Sequence, residues 1–193
     1  MNDKTVLGAG GDFADFQFLS EVIKQKQIDE DCKDDGFNLK PEALHCWLTR
    51  VLYNRRSKFD PLWNVIIVAG MEDNEPYLGF CNLQGTAFTD NVMATGMGVD
   101  LCLPVMRSAM EKKGGLLSYA EARATLLQCI RLAYLRDCRA WPKYHIANID
   151  GNYYYKNRVL GGHCFASGNG STMEGPLMID SNWEFAKGVK GYE

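Results

Sequence analysis

The sequence predicts an α+β fold of four layers, an α/β/β/α sandwich, and three observations predict it. Two helical patterns follow the first strand, and two more lie in the middle of the chain. Between these pairs sits a β-branched run, Val65-Ile66-Ile67-Val68-Ala69, that opens an antiparallel meander. A further strand and hairpin follow the second pair. Helix pairs separated by β-structure are buried most simply as a sheet pair with helices outside each face.

Thr5 to Gly8 read as the end of a strand, and Gly10-Gly11 as a sharp turn. A helix is expected from about Asp12, with Phe13, Phe16, Leu19 and Ile23 on its apolar side and Asp12 and Asp15 in its first turn. It fades in the charged stretch from Asp29 to Asp35 and ends at Gly36. Pro41 suits a first helical position, and Leu44, Trp47, Leu48, Val51 and Leu52 then follow helical spacing without a miss. Arg50, Arg55, Arg56 and Lys58 gather at the C-terminal end of that helix, where cations are favoured and where a partner could also be met.

Asp60-Pro61 breaks the pattern. Val65 to Ala69 is too short for a typical helix and reads as a strand covered on both faces. Glu72 to Pro76 form a turn, Tyr77 to Leu83 the return strand, and Gln84-Gly85 a second turn into Thr86 to Thr89. The glycine turn Ala94-Thr95-Gly96-Met97-Gly98 leads into a helix to about Lys112, bent early by Pro104, with Cys102, Val105, Met106, Ala109 and Met110 on one face. Gly114-Gly115 ends it, and Ser118 with Glu121 predicts a capping box. The next helix should bury Leu126, Leu127, Ile130, Ala133 and Tyr134 and end near Asp137 to Arg139. Tyr144 to Ile149 read as a strand, with Asp150-Gly151 as a hairpin signal into Asn152 to Tyr155. Residues 156–172, rich in glycine and serine and without periodicity, read as an irregular exposed loop, and order resumes at Glu174-Gly175-Pro176.

At 193 residues, 46% hydrophobic and 23% charged, the chain suits one globular domain, 1–193, with a full core. A net charge of −3 selects neither nucleic acid nor an anionic membrane, and no apolar run is long enough to span one. Seven cysteines are widely spread without C-x-x-C spacing, so zinc and thioredoxin-like motifs are not expected; free buried thiols in a reducing compartment are.

Candidate chemistry is sparse. Gly96-x-Gly98 lacks a third glycine at dinucleotide spacing and the Lys-Ser/Thr of a P-loop. Met97, presented by that turn, can neither donate a proton nor attack a carbonyl. His45-Cys46 and His163-Cys164 look like base–nucleophile pairs, but neighbours on a helix do not face each other, and Cys46 is expected to line the helix interior. His163-Cys164 falls in the irregular stretch, a poor support for a preorganised site. No carboxylate pair or His/Asp/Glu cluster has metal-ligand spacing, and no cofactor is expected.

Several segments carry a resemblance. Thr5-Val-Leu-Gly-Ala-Gly-Gly-Asp-Phe-Ala-Asp15 resembles the strand–glycine–helix segment of proteasome β subunits, Ala94-Thr-Gly-Met-Gly98 their second glycine turn, and Tyr134-Leu-Arg-Asp137 their last-helix signature. Leu48-Thr-Arg50 with the run Arg55 to Asn64, the segment Glu174-Gly-Pro-Leu177, Asn182-Trp183 and Gly191-Tyr-Glu193 are similar to the β type-4 branch, the non-catalytic members at the seventh position of the β ring. The resemblance covers nearly all the chain except 156–172, which it marks as an insertion.

The resemblance implies a sandwich of the N-terminal-nucleophile hydrolase type. Active members attack peptide carbonyls with an N-terminal threonine, helped by a lysine, a serine in the second glycine turn, and an aspartate and serine after the last long helix. Gly11 matches the glycine whose N–H faces the oxyanion, and Asp137 matches the aspartate. Met97 and Ala140 stand at the two serine positions. The chain opens at Met1 just ahead of the family's third strand, so the resemblance implies a domain lacking its first strands and the residues they carry. The expected function is that of a non-catalytic subunit of the 20S core, completing the β ring among α and β subunits in stacked rings, for ubiquitin-dependent protein degradation in cytoplasm and nucleus. The alternatives are a stand-alone N-terminal-nucleophile or thiol hydrolase, and a free-standing binding module without ring partners.

Overall fold

The computed structural model describes residues 5–36, 38–73, 75–115, 117–139, 143–147, 149, 164–166 and 173–176. They form a mixed fold of helices and antiparallel sheets. Strand β1 (Thr5–Gly11) pairs antiparallel with β2 (Asn64–Glu72), from Thr5 opposite Gly70 to Gly11 opposite Asn64. The strand therefore runs on through Gly10, and the turn is made by Gly11 alone, at φ 107°. β2 returns through residues 73–74 into β3 (Glu75–Asn82), and β3 through 83–86 into β4 (Ala87–Thr89), giving the order β1-β2-β3-β4. Asn82 Oδ1 fixes the second turn by accepting the backbone N–H groups of Gln84 and Thr86, each at 3.0 Å.

Helix α1 (Phe13–Asp31) and helix α2 (Pro41–Ser57) cover one face of this sheet. Asp12 is the N-cap of α1 rather than part of its first turn, its Oδ2 accepting the N–H of Asp15 at 3.0 Å. Leu19 and Ile23 are buried as expected, whereas Phe13 is exposed and Phe16 only half-buried. In α2, Leu44, Leu48 and Leu52 are buried, with Trp47 and Val51 packed at their margin. These residues meet Ile66, Val68 and Cys81. Strand side chains alternate between faces, so Ile67 points the other way, into a second cluster with Leu78 and Met93. The doubly covered strand read from the sequence is thus present.

Met93 is the middle residue of β5 (Val92–Ala94). Its neighbours Val92 and Ala94 face a third cluster with Cys102, Met106, Leu126 and Cys129. That cluster belongs to α3 (Gly98–Leu101), α4 (Leu103–Lys112) and α5 (Tyr119–Arg136) and the junctions between them. The single bent helix expected over 98–112 is instead two helices parted at Cys102. Pro104 is the reason: it has no N–H, and its ring opposes the carbonyl of the fourth residue before it. Ser118 and Glu121 form the expected capping box. The stripe of α5 is rotated from the expected one: Ala122, Leu126 and Cys129 are buried, while Leu127, Ile130, Ala133 and Tyr134 are half-buried.

Strand β6 (Lys143–Ile146) pairs with β8 (Met173–Pro176). The hairpin expected at Asp150-Gly151 into Asn152 to Tyr155 lies outside the described residues. Within the stretch read as an irregular loop, Cys164–Ala166 form β7, paired with β5 from Val92 opposite Ala166 to Ala94 opposite Cys164. No helix among the described residues is long and apolar enough to cross a membrane.

Candidate functional site

The site positions fall at the C-terminal end of β1 and the glycine turn after β5. Gly11 ends β1 at a φ that side chains rarely adopt, and a Cβ there would lie 2.0 Å from the Trp63 carbonyl oxygen. That approach is held by hydrogen bonds. Asp12 N–H donates to Trp63 O at 2.8 Å, Trp63 N–H to Asp15 Oδ2 at 2.9 Å, and the buried Asn64 Nδ2 to Asp12 O at 2.8 Å. The corner between β1 and α1 is thereby locked to the start of β2, with three side chains (Asp12, Asp15 and Asn64) satisfying its backbone.

The glycine turn sits against the same corner. A Cβ on Gly10 would lie 3.2 Å from Thr95 Oγ1 and 3.7 Å from Gly96 N, so the strand passes close under the turn. Thr95 is buried and its hydroxyl has no hydrogen-bond partner among the described residues, Gly96 takes φ 58°, and Gly98 is buried at the start of α3. Gly98 N–H donates to Thr95 O and Val99 N–H to Gly96 O, both at 3.2 Å. Met97, 42% exposed, offers only a thioether. The turn has the geometry of a tight helix start.

Asp137 is the C-cap of α5, its N–H donating to Ala133 O at 2.8 Å. Its carboxylate accepts the Arg139 N–H at 2.9 Å, with the Arg139 guanidinium 3.9 Å away. It is engaged within its own turn. Ala140 lies outside the described residues.

Of the thiol and histidine candidates, His45 and Cys46 point in different directions. His45 is buried against β3, its Nε2 2.8 Å from Phe80 O and its Nδ1 2.7 Å from the Tyr77 hydroxyl. A carbonyl can only accept, so Nε2 carries a proton, and in the Nε2–H tautomer Nδ1 accepts from the Tyr77 hydroxyl. Cys46, expected inside, is exposed instead, because His45 takes the inward direction that the next residue cannot share. Cys46 lines a groove of about 370 Å³ with Leu39, Lys40, Glu42 and Glu72. Lys40 is no base for it: hydrogen bonds to Asp73 at 2.8 Å and an ion pair to Glu72 at 3.3 Å raise its pKa and keep it charged. His163 lies outside the described residues, and Cys164 is part of β7.

Cys81, Cys102 and Cys129 are buried, and Cys32 and Cys138 are exposed with Cys46. Burial pushes Cys81 up to about 12, and contact with the Cys102 thiol, together with burial, raises Cys129. Both are unreactive as nucleophiles at neutral pH. No group of His, Cys, Asp or Glu among the described residues could hold a metal ion. The contacts of Asn64, Asp15 and Thr95 with the corner had no local signal in the sequence, since their partners lie tens of residues away.

A family model described as proteasome subunit matches residues 1–149. Over all 193 residues the chain is 39% identical to the proteasome subunit beta type-4 of Xenopus laevis, of which it spans 72%. It is 38% identical to that of Drosophila melanogaster, spanning 65% of it, and 30% identical to the proteasome subunit beta type-7 of Saccharomyces cerevisiae, spanning 69%.

Proposed function

The chain belongs to the proteasome subunit family, and from that premise we propose that it is a non-catalytic β-type subunit of the 20S core particle. Its work is to complete the β ring and to support neighbouring active subunits in stacked α and β rings, in the cytoplasm and nucleus, for ubiquitin-dependent protein degradation. The observation that carries this is the glycine turn. It keeps a buried Gly98 and a positive-φ Gly96 packed over β1, yet presents Met97 where an active relative would hold a hydroxyl. Without a hydroxyl at that turn, an oxyanion donor at Gly11 lacks one of the groups through which active members move the proton. Asp137 fits the same reading, since its carboxylate is turned to Arg139.

The four-layer sandwich is also part of this proposal. It is supported by the way β2 and β5 each divide their side chains between two clusters, one shared and one against helices. The basic cluster Arg50 to Lys58 and the C-terminal tail are the interface candidates.

The test is purification of the full-length tagged protein from its own cells. Co-elution with a large peptidase complex, with a threonine-directed covalent probe labelling other subunits and not this one, is expected. Recovery only as a monomer would sink the subunit reading, and labelling of this chain would favour a hydrolase.

A further inference from the structure

Helix α2 closes in a Schellman motif whose left-handed residue is a phenylalanine. Asp60 N–H donates to Arg55 O and Phe59 N–H to Arg56 O, both at 3.1 Å, with Phe59 at φ 57°. Glycine is the residue this position favours, because a Cβ is crowded there. Phe59 gains nothing from the fold in return: its side chain is 96% exposed. Trp63, four residues on, is 63% exposed although its backbone is tied into the β1 corner. Scattered apolar residues on a surface are ordinary. A strained residue that holds its ring wholly in water is not, and strain of this kind points to use.

Toward the end of α2 the net charge is positive, with Arg50, Arg55, Arg56 and Lys58 against Asp60. Asp60 is paired with Arg55, whose guanidinium also lies 4.9 Å from the centre of the Phe18 ring. Arg50, Arg56 and Lys58 are exposed and form no ion pair among the described residues. A second copy of this chain would bring the same cations face to face, which disfavours it as the occupant.

We propose that Phe59, supported by Trp63, is the anchor of a protein–protein interface. It inserts into an apolar pocket rimmed by carboxylates on a neighbouring protein subunit, with Arg50, Arg56 and Lys58 meeting those carboxylates. This rests on the ring-subunit reading above and names the residues and partner chemistry of one of its contacts. Protruding aromatic side chains that fill a partner's pocket are the usual carriers of interface energy.

Phe59→Gly tests it, because glycine suits the left-handed position and leaves the cap intact. Tagged wild-type and variant full-length chains would be purified from their own cells, and a photoreactive benzoylphenylalanine placed at position 59 in a parallel strain. The expected result is at least about tenfold less recovery of partner subunits with Phe59→Gly, at an unchanged or higher melting temperature. The photoproduct should be a peptide of one neighbouring subunit carrying Asp or Glu. Wild-type-level recovery with Phe59→Gly overturns the anchor while leaving the subunit reading intact. A photoproduct with nucleic acid, a second copy of this chain, or a lysine-rich peptide also overturns it. If the wild-type chain itself recovers no partner subunits, the subunit reading falls and the anchor with it.

Discussion

A methyl group on Gly11 would stand 2.0 Å from the carbonyl oxygen of Trp63, well inside any tolerable contact. The backbone there also holds φ 107°, which L residues rarely adopt. Gly11→Ala is therefore expected to destabilise the fold by about 2–4 kcal/mol, combining backbone strain with displacement of the β2 start. Urea denaturation of the purified chain would measure it; a change under about 0.5 kcal/mol would mean the corner relaxes freely.

Met97 predicts the opposite. Its side chain is exposed, and the turn is shaped by Gly96 and Gly98 rather than by the residue between them. Met97→Ser should change stability by no more than about 0.5 kcal/mol. Comparison of its melting curve with that of Gly11→Ala would separate the residue whose chemistry differs from the one whose geometry is required.

Tyr77 holds the buried His45 ring by one hydrogen bond, and Tyr77→Phe removes the donor. The orphaned Nδ1 should cost about 1–3 kcal/mol. Burial, first of all, pushes the Tyr77 phenol from 10.0 up to about 12. A group whose folded pKa is raised stabilises the fold below its unfolded value, and that contribution is lost as pH rises through the folded one. Denaturation midpoints should thus fall between pH 10 and about 12 in the wild type and fall less in Tyr77→Phe.

At the start of α5 the sign reverses. Bonds from the Lys113 ammonium, then from Ser118, hold the Glu121 carboxyl at about 2 instead of 4.5. The box is complete above pH 4.5 and is lost as pH falls toward about 2. Protection factors of the amides in the first turn of α5, taken relative to the intrinsic exchange rate at each pH, should fall as pH drops through that window, and Glu121→Gln should remove the change. An equal fall in both proteins would show that the carboxylate is not the cause.

Local chemistry made some of this architecture legible. Five apolar residues at helical spacing behind Pro41 gave α2 to the residue at its start, and Ser118 with Glu121 gave the start of α5. β2 could be read as covered on both faces because β-branched residues fill both of its sides. What failed depended on distant partners. Cys164–Ala166 have no strand pattern of their own; their order comes from pairing with β5, some seventy residues earlier in sequence. The buried stripe of α5 differs from the expected one because Ala122 and Cys129 carry less hydropathy than the half-buried Leu127 and Ile130 beside them. At the candidate site, Gly11, Met97 and Asp137 are singled out only by resemblance to a family pattern. The Gly10–Thr95 contact and the Asp12–Trp63–Asn64 bonds could not be, since each joins residues distant in sequence.

Strand β5 is only three residues long, yet Met93 serves one cluster while Val92 and Ala94 serve another. Sliding it by one position would put a flanking residue where Met93 belongs and Met93 into the helical cluster, spoiling both at once. The two hydrophobic clusters therefore cannot exchange their contributions piecemeal, and loosening either one withdraws a wall from the other.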